Sequence, residues 1–198
     1  MNDAAAFLIG ELDQSAAAGS ARSVGITLGT GVGSAFAVNQ EVVTSGAGVP
    51  PGGEIWNLAY RGGIVEDVIS TATIQKEYAR LTGVSVEVRE IANLARTQPE
   101  ARRVFETFGR ELGQVVRHTC SGFAPERVVL GGGISRTASI FLRSAEKELV
   151  DLSIQLRVSS LFERAPLVLV GAGISWQRKY LPESMLCNHQ PNNFAEQT

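Results

Sequence analysis

The glycines of this chain are not spread along it. They gather at 29–33, 46–53, 62–63, 131–133 and 171–173. Clustered glycine marks backbone that turns sharply or that approaches another group more closely than a Cβ allows. Each cluster interrupts a stretch of regular hydrophobic spacing, so the clusters divide the chain into elements and fix where those elements turn. At 198 residues and 44% hydrophobic content, the chain can bury one sizeable core.

Between the clusters the periodicities are distinct. Residues 3–18 are rich in Ala, Leu and Glu and predict a helix that opens on Asn2 or Asp3 and ends before Gly19. Strands are predicted at 23–28, 34–38 and 41–44, with a tight turn at Asn39-Gln40, which makes an antiparallel meander. Residues 45–63, with Pro50-Pro51, are expected to be loop. Helical spacing follows over 66–81, ended by Gly83, then over 86–96, then from Pro99 to about Cys120. A strand at 127–130, the Gly131-Gly132-Gly133 turn and a helix over 137–149 lead to a last predicted strand at 167–170 with a closing helix. Strand, turn, helix, strand is the βαβ pattern of a parallel sheet. A meander followed by parallel βαβ units, with helices on both faces, is the ribonuclease-H-like (actin-like ATPase) α/β architecture. Residues 183–198 are polar and read as a loose tail.

Composition excludes several classes. A formal net charge of -2 leaves no basic field for nucleic acid. No apolar run is long enough to span a membrane, and the N-terminus lacks a basic region before its apolar stretch. Cys120 and Cys187 stand far apart, without a Cys-x-x-Cys or Cys/His cluster, which points to reduced thiols, a cytoplasmic setting and no thiolate zinc site.

Each candidate site residue has an ordinary structural reading beside its functional one. Gly29-Thr30-Gly31-Val32-Gly33 connects strand to strand, so it is not a dinucleotide fingerprint, which must open a helix. It is either a glycine hairpin or a nest of N–H groups for phosphate. Gly131-Gly132-Gly133 permits close approach of a ring or phosphate, or tight strand–helix packing, with Ser135 able to cap the next helix. Asn2 and Asp3 are good caps, and Asp3 can also take a proton from an alcohol. In the long loop, Glu54 and Asn57 can bond two sugar hydroxyls and Trp56 can cover a ring; alternatively the loop is solvated and Trp56 anchors it. Glu66-Asp67 can simply complement a helix dipole.

Taken in order, these motifs resemble the ROK family of bacterial sugar kinases and repressors, and most of 2–175 takes part in the resemblance. It implies the C-terminal lobe, residues 1–182, of an ATP-dependent kinase for a hexose or acylated hexosamine. Asp3 would be its catalytic base, with Asn2, Glu54, Asn57 and Glu66 on the sugar. Gly29, Thr30, Gly31 and Gly33 would hold phosphates bridged by Mg²⁺, and Gly131, Gly132 and Gly133 would border the adenosine. The chain also departs from the family. The N-terminal lobe with its Asp-x-Gly-Gly-Thr loop does not precede Met1, so weak or no activity alone is expected, with assembly into a homo-oligomer or with a missing lobe. Asn57 replaces the family's histidine, Trp56 replaces a glycine, and 58–66 carries no cysteine or histidine for the family's structural zinc. The alternative expectation is a non-catalytic sugar- or nucleotide-binding or dimerisation module, or the effector lobe of a ROK regulator.

Overall fold

The computed structural model describes residues 2–14 and 16–160. Helix α1 (Asp3–Gln14) precedes strands β1 (Arg22–Leu28), β2 (Val32–Val38) and β3 (Glu41–Val43). A small hairpin, β4 (Ala59–Tyr60) and β5 (Gly63–Ile64), leads to helices α2 (Thr71–Thr82), α3 (Val88–Leu94) and α4 (Pro99–Cys120). Strand β6 (Arg127–Gly131), helix α5 (Ala138–Lys147) and strand β7 (Gln155–Val158) follow.

The main sheet has the order β3-β2-β1-β6-β7. β3, β2 and β1 form the antiparallel meander, and β1, β6 and β7 run parallel. The expected architecture is therefore present. Alternation along the strands assigns each face. Val24, Ile26, Leu28, Phe36, Val128 and Leu130 join the large core under α4 and α5. Ala35, Ala37 and Val129 face the other way, into the smaller core with Ala4, Phe7 and Leu8 of α1. That second face is lined by small residues for a reason: a Cβ on Gly25 would stand 3.1 Å from Leu8 Cβ. α1 lies close on the sheet because little side chain separates them.

The long α4 carries the main apolar stripe (Val104, Phe105, Phe108, Leu112, Val115, Val116) and packs on α5 through Gly109 and Gly113. Pro99 opens it in the first turn. Phe108 and Phe141 meet edge to face at 5.1 Å between ring centres.

Several boundaries differ from the sequence expectation. The first helix stops at Gln14 and a turn covers 16–19. Strand β2 begins at Val32, inside the glycine run. The stretch 45–63 is not all loop: Pro51–Gly53 form a 3₁₀ turn and β4 pairs with β5. The expected helix over 66–81 is broken. Val65–Asp67 form a 3₁₀ turn, the chain extends at Ser70, and α2 starts at Thr71, whose N–H donates to Gly29 O. A continuous helix would have taken that N–H for its own ladder. Likewise Ile134–Thr137 form a 3₁₀ turn before α5, and Ser135 does not cap it: its Oγ donates back to Gly132 O. Strand β7 was not foreseen, because in Gln155–Val158 only Leu156 is buried and no apolar run marks it. The expected strand at 167–170, its helix, Cys187 and the tail lie outside the described residues. Among the described residues no helix is long and apolar enough to cross a membrane.

Candidate functional site

The glycine turn between β1 and β2 is a wall between two clefts. On one side, a cavity of about 670 Å³ is lined by Asn2, Asp3, Ala4, Thr27, Gly31, Val32, Gly33, Glu54, Trp56 and Glu66. On the other, a cavity of about 1040 Å³ begins at Gly29, Thr30 and Thr71 and runs past Gly133, Ile134 and Arg136 to α3 and the start of α4.

The smaller cleft is assembled from three distant pieces of chain. Asn2 caps α1, accepting from Ala5 N–H through Oδ1 at 2.8 Å. This leaves Asp3 as the first helical residue, exposed at the cleft. The second piece is the loop that follows the Pro51–Gly53 turn. Ser34 of β2 fixes it, donating to Gly53 O and accepting from Ile55 N–H at 2.8 and 2.9 Å. Ile55 is fully buried, so the residues on either side of it, Glu54 and Trp56, project outward. Glu54 then accepts from Trp56 Nε1 at 3.0 Å and from Asn2 Nδ2 at 3.5 Å. Trp56 is 37% exposed, so it does not anchor the loop in the core; its ring is held beside the carboxylate at the cleft. The third piece is the 3₁₀ turn carrying Glu66, whose Oε2 accepts from Val32 N–H at 2.9 Å. Its neighbour Asp67 caps locally instead, accepting from Ile64 N–H.

The glycines divide by role. A Cβ on Gly33 would lie 2.5 Å from Thr27 Oγ1, and one on Gly31 would lie 2.8 Å from Glu66 Oε2. A side chain at Gly33 would displace Thr27, and one at Gly31 would displace the end of the Glu66 side chain. Among the described residues no partner takes up the N–H groups of Thr30 and Gly31, so these donors are available to an anion. In the later motif, Gly131 packs against the Phe7 ring, where a Cβ would come within 2.6 Å. Gly132 has φ +86° and lies against Leu28 backbone, and only Gly133 lines the larger cavity. Two of the three glycines thus serve the packing of β6 against its neighbours.

The structure therefore brings Asn2, Asp3, Glu54 and Glu66 to one cleft with Gly31 and Gly33, and puts Gly29 and Thr30 on its far wall. Asn57 is exposed on the same loop but is not among the residues lining that cleft. Sequence reading missed Thr27, one residue before the end of β1, and the arginines of the larger cavity. Arg89, Arg96, Arg102 and Arg136 line it, against Glu87 and Glu106. These arginines are spread over 48 positions of sequence and form no run, so no local signal marked them. Among the described residues no group of three His, Cys, Asp or Glu side chains is placed to hold a metal ion.

Residues 1–158 match the family model described as the ROK family. The glucokinase of Thermotoga maritima is 26% identical over 175 residues, 76% of this chain and 55% of that protein. The crystal structure of a ROK hexokinase from Thermus thermophilus superposes with a TM-score of 0.75 at 24% identity, covering 90% of this chain and 65% of that one. A ROK family glucokinase from Streptomyces griseus, in complex with glucose and AMPPNP, gives a TM-score of 0.75 at 23% identity, covering 88% and 66%. The chain thus spans about half the length of the Thermotoga protein and less than two thirds of the Thermus chain.

Proposed function

The chain belongs to the ROK family, and from that premise we propose that it is the acceptor- and donor-binding lobe of an ATP-dependent sugar kinase. The observation that carries the reading is the glycine turn standing between two clefts, with Asp3, Glu54 and Glu66 on one side and an arginine-lined cavity on the other. Phosphoryl transfer needs the attacking and leaving oxygens roughly in line, and a phosphate-holding turn with an acceptor cleft on one side and a donor cavity on the other suits that requirement. The glucokinase and hexokinase relatives support a sugar acceptor, and the AMPPNP complex supports an adenine nucleotide donor.

Roles follow from the chemistry of each group. Glu54 and Glu66 accept hydrogen bonds from sugar hydroxyls, and Asn2 offers an amide that can donate or accept. Trp56 covers the apolar face of the ring. Asp3 takes the proton of the attacking hydroxyl as its oxygen bonds to the terminal phosphorus and the bond to the bridging oxygen breaks. Thr30 and Gly31 N–H groups receive the charge of the transferring phosphate. The arginines balance the rest of the donor's charge. Among the described residues no cluster of three His, Cys, Asp or Glu side chains is placed to ligate a metal, so Mg²⁺ would be held by donor phosphates and water, as that cation commonly is. When bound it neutralises phosphate charge.

Titration calorimetry with glucose and with AMPPNP–Mg²⁺ tests the binding claim. Saturable binding of both is expected, and binding of neither would refute the reading. Where phosphorylation of glucose is measurable, Asp3→Asn should lower turnover by roughly 10²–10⁴ with glucose binding retained. Unchanged turnover would remove Asp3 from the base role.

A further inference from the structure

Two residues of one segment, Glu66 and Thr71, hold both ends of the glycine turn. Glu66 accepts from Val32 N–H at 2.9 Å on the acceptor side. Thr71 N–H donates to Gly29 O at 2.9 Å on the donor side. Between them the chain passes from the 3₁₀ turn through the extended Ser70 to the first residue of α2. Val65 and Ile69 are fully buried, so this segment is fixed in the core while its polar ends reach the turn. Gly31 lies under the carboxylate without a Cβ, which lets Oε2 come down onto Val32 N–H.

Building on the sugar-kinase reading, we propose that Glu66 is a positioning residue that couples the two clefts: one carboxylate oxygen holds the phosphate turn, while the other is presented to the acceptor. A sugar hydroxyl bonded to Glu66 restrains the carboxylate. The restrained carboxylate holds Val32, and the same rigid segment holds Gly29 at the entrance to the donor cavity. Sugar and donor then each bind more tightly when the other is present, by the reciprocity that any such coupling obeys. A carboxylate that served only the sugar would need no contact with the turn.

The contact and the coupling can be tested separately. Amide exchange at Val32 in the ligand-free chain should accelerate about tenfold or more in Glu66→Ala, the fold-change that loss of a charge-assisted hydrogen bond implies. Glu66→Gln keeps an acceptor for Val32 and should retain most of the protection. Gly31→Ala puts a methyl 2.8 Å from Oε2, so it should expose Val32 with the carboxylate still present. In calorimetry, glucose affinity should rise at least about fivefold when AMPPNP–Mg²⁺ is bound, the lower end of common coupling factors. That factor should fall to about one in Gly31→Ala. Glucose binding unaffected by AMPPNP, or coupling that survives Gly31→Ala, would overturn the proposal and leave the kinase reading standing. Failure of glucose to bind at all would instead remove the sugar reading. Unaltered Val32 exchange in Glu66→Ala overturns the proposal by itself, with no ligand involved.

Discussion

Replacing Gly131, Gly132 and Gly133 one at a time by alanine should give three different proteins, although all three lie in one short motif. At Gly132 the backbone is left-handed, with φ +86°, and a Cβ would stand 2.3 Å from Leu28 O and 2.7 Å from Leu28 N. The left-handed conformation costs roughly 1–2 kcal/mol for a residue with a Cβ. The overlap is with main chain, which cannot swing aside, and overpacking of that kind adds roughly 1–3 kcal/mol. A total near 3 kcal/mol moves a urea midpoint by about 1.5 M, for a slope of about 2 kcal/mol per M. At Gly131 the obstacle is the Phe7 ring at 2.6 Å, a side chain that can shift but is itself buried. An intermediate loss of about 1–2 kcal/mol is expected there. At Gly133 nothing lies within 4 Å, and φ -62°, ψ -39° suits any residue. Alanine there should raise stability by about 0.4–1 kcal/mol, because the unfolded chain loses freedom. Its methyl would enter the donor cavity and weaken AMPPNP binding. Urea denaturation of the three variants reads the order directly. Equal destabilisation of Gly132→Ala and Gly133→Ala would refute the reasoning, as would wild-type stability in Gly132→Ala.

Three other outcomes follow from the structure. Cys120 is fully buried, and burial pushes its thiol from the ordinary 9.0 up to about 11. The unfolded chain releases that proton first, so the stability contribution is complete below pH 9 and falls by up to about 3 kcal/mol as pH rises to 11; Cys120→Ala should flatten that slope in urea titrations at stepped pH. A Cβ on Gly113 would meet Ala145 O at 2.5 Å. Gly113→Ala should therefore lose about 1–2 kcal/mol, even though alanine gains about 1 kcal/mol in helix propensity, as thermal unfolding would measure. Arg61 pairs with Glu111 at 2.7 Å and also bonds Gln114, which ties the β4–β5 hairpin to α4. The Arg61 side chain is 54% exposed, so Arg61→Ala should cost no more than about 1 kcal/mol, and less in high salt.

What was legible in the sequence was local. Pro99 and the stripe from Val104 to Val116 specify α4 through their own spacing, and its observed span agrees. The meander was legible because β-branched and aromatic residues alternate between turn residues. The break in the expected 66–81 helix was not legible, because the spacing of Val68, Ile69, Ala72 and Ile74 fits one helix. Only the bond from Thr71 N–H to Gly29 O, made 42 positions away, shows why the helix starts late. Strand β7 escaped for a related reason: its place is set by pairing with β6, and it has too little buried side chain to announce itself.

By itself the sequence determined which residues carry chemistry, because residue type and spacing decide what can donate, accept, turn or cap. It placed Asp3 at a helix start, Glu54 in a glycine-rich loop and the glycine turn between two strands. The tertiary structure alone decided that these share one cleft, that Glu66 grips the turn, that Gly131 and Gly132 pack while Gly133 faces the cavity, and that four scattered arginines line one cavity. The physical reason is range. Helix and turn preferences act over a few residues, whereas the sheet order β3-β2-β1-β6-β7 brings together segments separated by fifty residues or more through pairing and burial that no local spacing encodes.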